Sequence, residues 1–198
     1  RQVYASSLSE KALRYRQRRG LLEAHEQMAL LIMRVSGTAG GRYFYPHAAG
    51  VGLSFNPYRW NPKIDMHAGV VRLVAGLGTR AVDRADDDYT RLIALNEPEL
   101  RPETNFGAIA RHAQRRMDVL DLSGNGVVTG PFAELSAEDA SFPLDLFTTR
   151  EQPERPPFLT FDGLIRNGEF VERMQAILGH LQSAYRQPVE IEFALNVR

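Results

Sequence analysis

Cysteine is missing altogether from the 198 residues. Its absence removes disulfides, thiolate nucleophiles and thiolate zinc sites. It accords with a reducing compartment, and a cytoplasmic location is the expectation. Lysine is scarce: Lys11 and Lys63 are the only two, and all the other basic residues among the 24 are arginines. The 24 acidic residues balance them to a formal net charge of +0. Without a net positive field, a protein held on nucleic acid by bulk electrostatics is excluded. No run of about 18 apolar residues occurs, so no membrane-spanning helix is expected. No charged segment followed by an apolar stretch opens the chain. What is present is ordinary: 43% hydrophobic and 24% charged residues suit a globular protein, not a disordered, collagenous or coiled-coil one. The length fits one domain or two small ones. The chain begins at Arg1 without an initiator methionine and stops at Arg198 after a strand-like segment, so it is expected to be a piece of a larger protein.

Ser7-Leu-Ser-Glu10 has the form of a capping box, and a helix is expected to run from there to about Arg19, with Gly20 as a left-handed terminator. Met28–Val35 is apolar and of strand length, Gly37–Gly41 reads as a turn, and Gly50–Phe55 reads as a second strand stopped by Asn56-Pro57. The two strands are expected to pair antiparallel. Val70–Ala75 and Arg91–Leu95 are further strands. Asn105–Met117 is a weak helix, and residues 118–128 form a hairpin around Gly124-Asn-Gly126. Residues 134–157 lack periodicity and read as an exposed connection. Phe170, Val171, Met174, Ile177, Leu178, Leu181 and Tyr185 recur at helical spacing, and Val189–Leu195 alternates as a strand. The order is not a regular βαβ repeat, so the class is α+β, mainly antiparallel sheet flanked by helices.

The last strand places Glu190 and Glu192 on one face and Val189, Ile191, Phe193 and Leu195 on the other. Adjacent carboxylates repel unless a cation or water separates them, and Mg²⁺ takes such oxygens together with substrate phosphates. A solvated polar face is the alternative. Gly76-Leu-Gly78-Thr79-Arg80 follows a strand and could bring backbone N–H groups to a phosphate, but it matches neither the dinucleotide fingerprint nor the P-loop, so in isolation it reads as a plain strand-terminating turn. Arg14, Arg16, Arg18 and Arg19 with Tyr15 read as the solvated face of a helix or as a site for a phosphorylated ligand. The five histidines (His25, His47, His67, His112, His180) lack metal-ligand spacing. Ser7 and Ser54 lack the Gly-x-Ser-x-Gly context of a hydrolase nucleophile.

Taken in order, several segments resemble one family. Ala5-Ser-Ser-Leu-Ser-Glu-Lys-Ala-Leu-Arg-Tyr-Arg16 resembles a helix of the nucleotide-binding domain of phosphoenolpyruvate synthase and pyruvate phosphate dikinase. Met28-Ala-Leu-Leu-Ile-Met-Arg-Val-Ser-Gly37 resembles its hinge strand, and Gly50-Val-Gly-Leu-Ser-Phe-Asn-Pro57 its SGVAFTRNP-like strand. Val71-Arg-Leu-Val-Ala-Gly-Leu-Gly-Thr-Arg-Ala-Val-Asp83, Leu159–Asn167 and Pro188-Val-Glu-Ile-Glu-Phe-Ala194 resemble its later segments. The resemblance implies a partial ATP-grasp domain over residues 1–198 that binds ATP and Mg²⁺. It implies phosphate transfer to a histidine on a separate domain, of the same or a partner chain, and on to pyruvate. It involves no nucleic acid or membrane, and a homo-oligomer is compatible with it.

By resemblance, Met33, Arg34 and Val35 supply the adenine hinge and Ser54 replaces a phosphate-contacting threonine. Arg80 and Asp83 support the phosphates, and Glu190 and Glu192 hold metal and phosphate. The family usually has glutamine at Met33, an acidic residue at Thr79 and aspartate at Glu190. Its early lysine and arginine segments would lie before Arg1 and its Gln-x-Arg-Pro strand beyond Arg198, so the piece alone is expected to be inactive. A relative acting on a glucan or an antibiotic, and a non-catalytic nucleotide sensor, are the alternatives.

Overall fold

The computed structural model describes residues 2–25, 27, 29–82, 88–150, 154 and 156–197, which fall into two units, Arg1–Val35 and Ser36–Arg198. The first unit holds α1 (Gln2–Ser6) and α2 (Glu10–Arg18). The cap of α2 is Ser9, whose Oγ accepts from the Ala12 N–H at 3.3 Å; Ser7, expected to cap, instead donates its hydroxyl to the Tyr4 carbonyl at 2.8 Å. No described residue of α2 is buried, and Arg14 pairs with Glu10 one turn back at 2.7 Å, which agrees with a solvated basic face. Gly20 takes the left-handed conformation at φ 67, as expected of a terminator. Among the described residues 29–35 the expected strand is not formed: Leu31, Ile32 and Met33 are exposed at 82%, 89% and 71%. A strand needs a neighbour to take up its backbone hydrogen bonds, and the described residues of this unit supply none.

The second unit runs β1 (Thr38–Gly40), β2 (Tyr43–Tyr45), β3 (Ala48–Leu53), β4 (Val70–Ala75), α3 (Thr79–Val82), β5 (Arg91–Ala94), α4 (Phe106–Arg111), β6 (Arg116–Asp121), β7 (Gly126–Pro131), α5 (Phe132–Ala137), α6 (Leu144–Phe147), β8 (Thr148–Thr149), β9 (Phe158–Leu159), α7 (Asp162–Arg166), α8 (Glu169–Tyr185) and β10 (Glu190–Leu195). All sheets are antiparallel, in the orders β1-β2-β6-β7, β10-β3-β4-β5 and β8-β9. The α+β class stands. The stretch 37–41 forms β1 and a turn at Gly41 (φ 59) rather than a turn throughout. The partners of β3 are β10 and β4, not the segment before it.

One face of the β10-β3-β4-β5 sheet carries Ile191, Phe193, Ala48, Val71, Leu73 and Ile93 into the main core. Helix α8 covers that face with Phe170, Val171, Met174 and Leu178, each contributing about 1.5–3 kcal/mol on burial. Gly52 of β3 makes the close approach feasible, because a Cβ there would lie 2.9 Å from Met174 Cε. The described residues of the stretch 134–157 are not an exposed connection throughout. The stretch contains part of α5, all of α6 and β8, and it buries Leu135, Phe142 and Phe147. Phe142 and Phe147 link Phe132 to Phe161 through ring contacts at 5.5, 5.3 and 5.6 Å. Helices of six and four residues are too short to show a period in the sequence.

Candidate functional site

The opposite face of the same sheet carries Glu190 and Glu192. Both are exposed on the edge strand β10, and successive same-face residues on a strand sit about 7 Å apart. Among the described residues neither carboxylate has a hydrogen bond or ion pair. The register sets Glu192 in a row with Val51, Arg72 and Leu92, and Glu190 in a row with Leu53, Val70 and Ala94. Arg72 is half-buried and, among the described residues, unpaired. Between the acids and this arginine lie Val51 and Leu53, packed with Val74 of β4 and Ala81 of α3. The face is thus acidic at one edge, apolar in the middle and cationic two strands away. Neither the sequence pattern nor the family resemblance points to Arg72 as a site residue; its one signal is that it is an arginine inside the otherwise apolar strand 70–75.

Ser54 is buried at the end of β3. Its Oγ accepts from the Val189 N–H at 2.9 Å while its own N–H donates to the Val189 carbonyl at 3.0 Å. The side chain therefore extends the β3–β10 ladder by one rung and fixes the backbone beside Glu190. Beyond the other end of β10, His47 Nδ1 accepts from the Val197 N–H at 2.9 Å.

The Gly76-Leu-Gly78 turn is held against β6. Gly76 has φ 81, and a Cβ there would lie 2.3 Å from Met117 Cγ, so both conformation and space demand glycine. Arg80 extends from this turn between two acids: its Nε donates to Asp118 Oδ1 at 3.1 Å and its Nη1 to Asp88 Oδ2 at 3.0 Å. Asp118 also accepts from Thr79 Oγ1 at 2.5 Å and Thr129 Oγ1 at 2.7 Å. Burial works against the Asp118 charge, but the hydroxyls of Thr79 and Thr129 and the Arg80 guanidinium outweigh it and hold the carboxyl below its ordinary range. Asp88 further accepts the N–H groups of Arg115 at 2.7 Å and Arg116 at 3.1 Å. Every charge in this cluster is spoken for within the fold.

Met33, Arg34 and Val35 belong to the first unit, where all three are exposed. Asp83 lies outside the described residues. Among the described residues no three His, Cys, Asp or Glu side chains gather to hold a metal ion. Glu190 and Glu192 alone fit the Mg²⁺ habit of using one or two carboxylates and completing its shell with water and phosphate oxygens.

No curated protein matches the chain. The family model of the pyruvate phosphate dikinase AMP/ATP-binding domain matches residues 1–198, the whole of it. That match agrees with the α+β fold and with an ATP-binding role in an enzyme of the phosphoenolpyruvate synthase and pyruvate phosphate dikinase type. The chain belongs to the pyruvate phosphate dikinase AMP/ATP-binding domain family.

Proposed function

We propose that the Glu190/Glu192 face receives the phosphates of ATP through Mg²⁺, as part of a phosphotransferase that passes phosphate to a histidine on a separate domain and on to pyruvate. The observation that carries this reading is the pair of exposed, unpartnered carboxylates standing in register with Arg72 across an apolar strip. Phosphoryl transfer asks the protein for positioning and charge neutralisation rather than covalent chemistry. Bound there, the cation would neutralise phosphate oxygens. Glu190 and Glu192 would orient it, and Arg72 would meet a phosphate oxygen from the far side. The apolar strip excludes water between them.

Ser54 and Arg80 act differently in this reading from what the resemblance implies. Ser54 is a positioning residue, because its hydroxyl already accepts the Val189 N–H beside Glu190. Arg80 holds the glycine turn in place through Asp118 and Asp88 and leaves the phosphates to Arg72. Met33, Arg34 and Val35 remain our assignment for the adenine hinge, and Asp83 for support of the phosphates. The histidine-bearing domain belongs to the same protein or to a partner, and the cytoplasm is our assigned location.

Calorimetry of the full parent protein tests the metal role. Glu192→Gln is expected to weaken Mg·ATP binding by about tenfold or more, while binding of ATP in EDTA stays as in the wild type. Equal Mg·ATP affinity and equal phosphorylation in both proteins would remove the role assigned to Glu192.

A further inference from the structure

The edge strand β10 is hydrogen-bonded to its sheet through β3 alone. A side chain ties each of its ends, and both side chains come from the residues that flank β3. At the Glu190 end, Ser54 Oγ accepts the Val189 N–H at 2.9 Å. At the Leu195 end, His47 Nδ1 accepts the Val197 N–H at 2.9 Å. The paired register runs from Glu190 opposite Leu53 to Leu195 opposite Ala48, so each tie lies just outside the ladder. One acceptor is a hydroxyl, which keeps its charge state at every ordinary pH. The other is an imidazole, whose charge changes between about pH 5 and 8.

A neutral imidazole that accepts at Nδ1 carries its hydrogen on Nε2. A second proton puts an N–H on Nδ1 facing the Val197 N–H, and two donors cannot share a hydrogen bond. The ring is 4% exposed and lies against Phe142 at 5.7 Å and Phe147 at 6.4 Å, neighbours that give a charge little solvation. Burial accordingly lowers the His47 pKa from its ordinary 6.5, with Asp139 opposing. Among the described residues Asp139, in the turn after α5, is the charged group that bears on the ring. Tyr45 also touches Phe142, and its hydroxyl donates to Asp139 Oδ2 at 3.0 Å; Glu138 bears on Tyr45. Asp139 Oδ1 accepts from the Ser141 N–H at 2.9 Å and from Ser141 Oγ at 2.6 Å. The carboxylate is thus fixed in place and attracts the ring once it is charged, while Val197 loses its acceptor. Asn196 keeps a tie that does not titrate, from Nδ2 to Ser36 Oγ at 3.0 Å, but that contact is exposed.

We propose that His47 is an acid-opened latch on the Leu195 end of β10: the neutral ring holds Val197, and the protonated ring releases it and lets the strand fray toward Glu192. The Ser54 end stays closed, so acid disturbs Glu192 before Glu190. The latch is a property of the strand and stands whether or not the Glu190/Glu192 face receives Mg·ATP.

Amide hydrogen exchange of the full parent protein, read by mass spectrometry at about pH 7.5 and about pH 5, tests it across the range in which a histidine charges. Rates are corrected for the intrinsic effect of pH on exchange. In the wild type, protection over residues 194–197 is expected to fall about fivefold at the lower pH, the loss of one hydrogen bond. Protection around Val189, at the Ser54 end, should hold. His47→Gln offers a side-chain carbonyl that does not titrate, and should remove the pH dependence over 194–197. The comparison of the two ends within the wild type carries the test even if His47→Gln does not fold. Unchanged protection over 194–197 in the wild type overturns the proposal, as does an equal loss at both ends. The same acid loss in a folded His47→Gln overturns it too. The Mg·ATP titration at neutral pH reports separately on the reading of the Glu190/Glu192 face.

Discussion

Two groups of charges border the same four-stranded sheet, and the family resemblance assigns Arg80 of one and both acids of the other to phosphate or its metal. Beside the glycine turn, Arg80 stands between Asp118 and Asp88, and hydroxyl and backbone donors take up the remaining carboxylate oxygens. On β10, Glu190 and Glu192 face solvent with no partner among the described residues. The difference separates what holds the fold from what is free to meet a ligand. A buried ion pair is hard to break one side at a time, because the survivor is left uncompensated. An exposed carboxylate keeps its hydration, adds little to stability, and can exchange water for a cation at small cost.

The largest expected effect comes from breaking the paired group. Asp118→Ala leaves the Arg80 guanidinium short of one carboxylate in a site where its side chain is 14% exposed, and strands Thr79 and Thr129. A loss of about 3–5 kcal/mol is expected in urea denaturation. A loss below about 1 kcal/mol would mean that solvent screens the cluster after all, and the contrast with β10 would collapse.

Next in size is Gly76→Ala. The left-handed φ of 81 and the 2.3 Å approach to Met117 act together, and a cost of about 2 kcal/mol or more is expected from strain and overpacking. Thermal unfolding measures it. If Gly76→Ala costs nothing, the turn is loose and Arg80 is free to swing toward a ligand, which would restore the role the resemblance gives it.

How far these features could be read beforehand follows from their range along the chain. Strands β3, β4, β5 and β10, the 118–128 hairpin and helix α8 all follow from local alternation or helical spacing, and each formed close to its expected bounds. The two carboxylates of β10 fall on one face for the same local reason. What escaped is non-local. Whether Arg80 is free depends on Asp118, which lies 38 residues away, and whether Ser54 is free depends on Val189, which lies 135 residues away. The burial of Phe142 and Phe147 depends on two helices too short to leave a period. The segment 28–35 has strand composition, but composition cannot supply the neighbour that a strand requires.

A smaller effect concerns the chain just past β10. Burial lowers the His47 pKa from its ordinary 6.5, with Asp139 opposing, so the fold favours the neutral ring. The stabilisation is complete above the unfolded value of 6.5 and is lost as pH falls through the lowered folded value. Protonation at Nδ1 also ends its acceptance of the Val197 N–H, worth about 1 kcal/mol. Thermal unfolding should therefore show the wild type losing stability below pH 6.5, and His47→Gln losing less of it. Parallel pH profiles would mean that acid acts elsewhere.

The smallest effect is expected where the binding argument is strongest. Glu190→Gln removes a charge that pairs with nothing among the described residues and relieves its repulsion from Glu192 on the same strand face. Its unfolding free energy should stay within about 0.5 kcal/mol of the wild type, since exposed substitutions away from special features rarely do more. A large loss would show that Glu190 has a partner within the fold, and the two charge groups would then differ in degree only. An unchanged fold together with weakened Mg·ATP binding is the outcome that separates them, because no structural role can move the second quantity without the first.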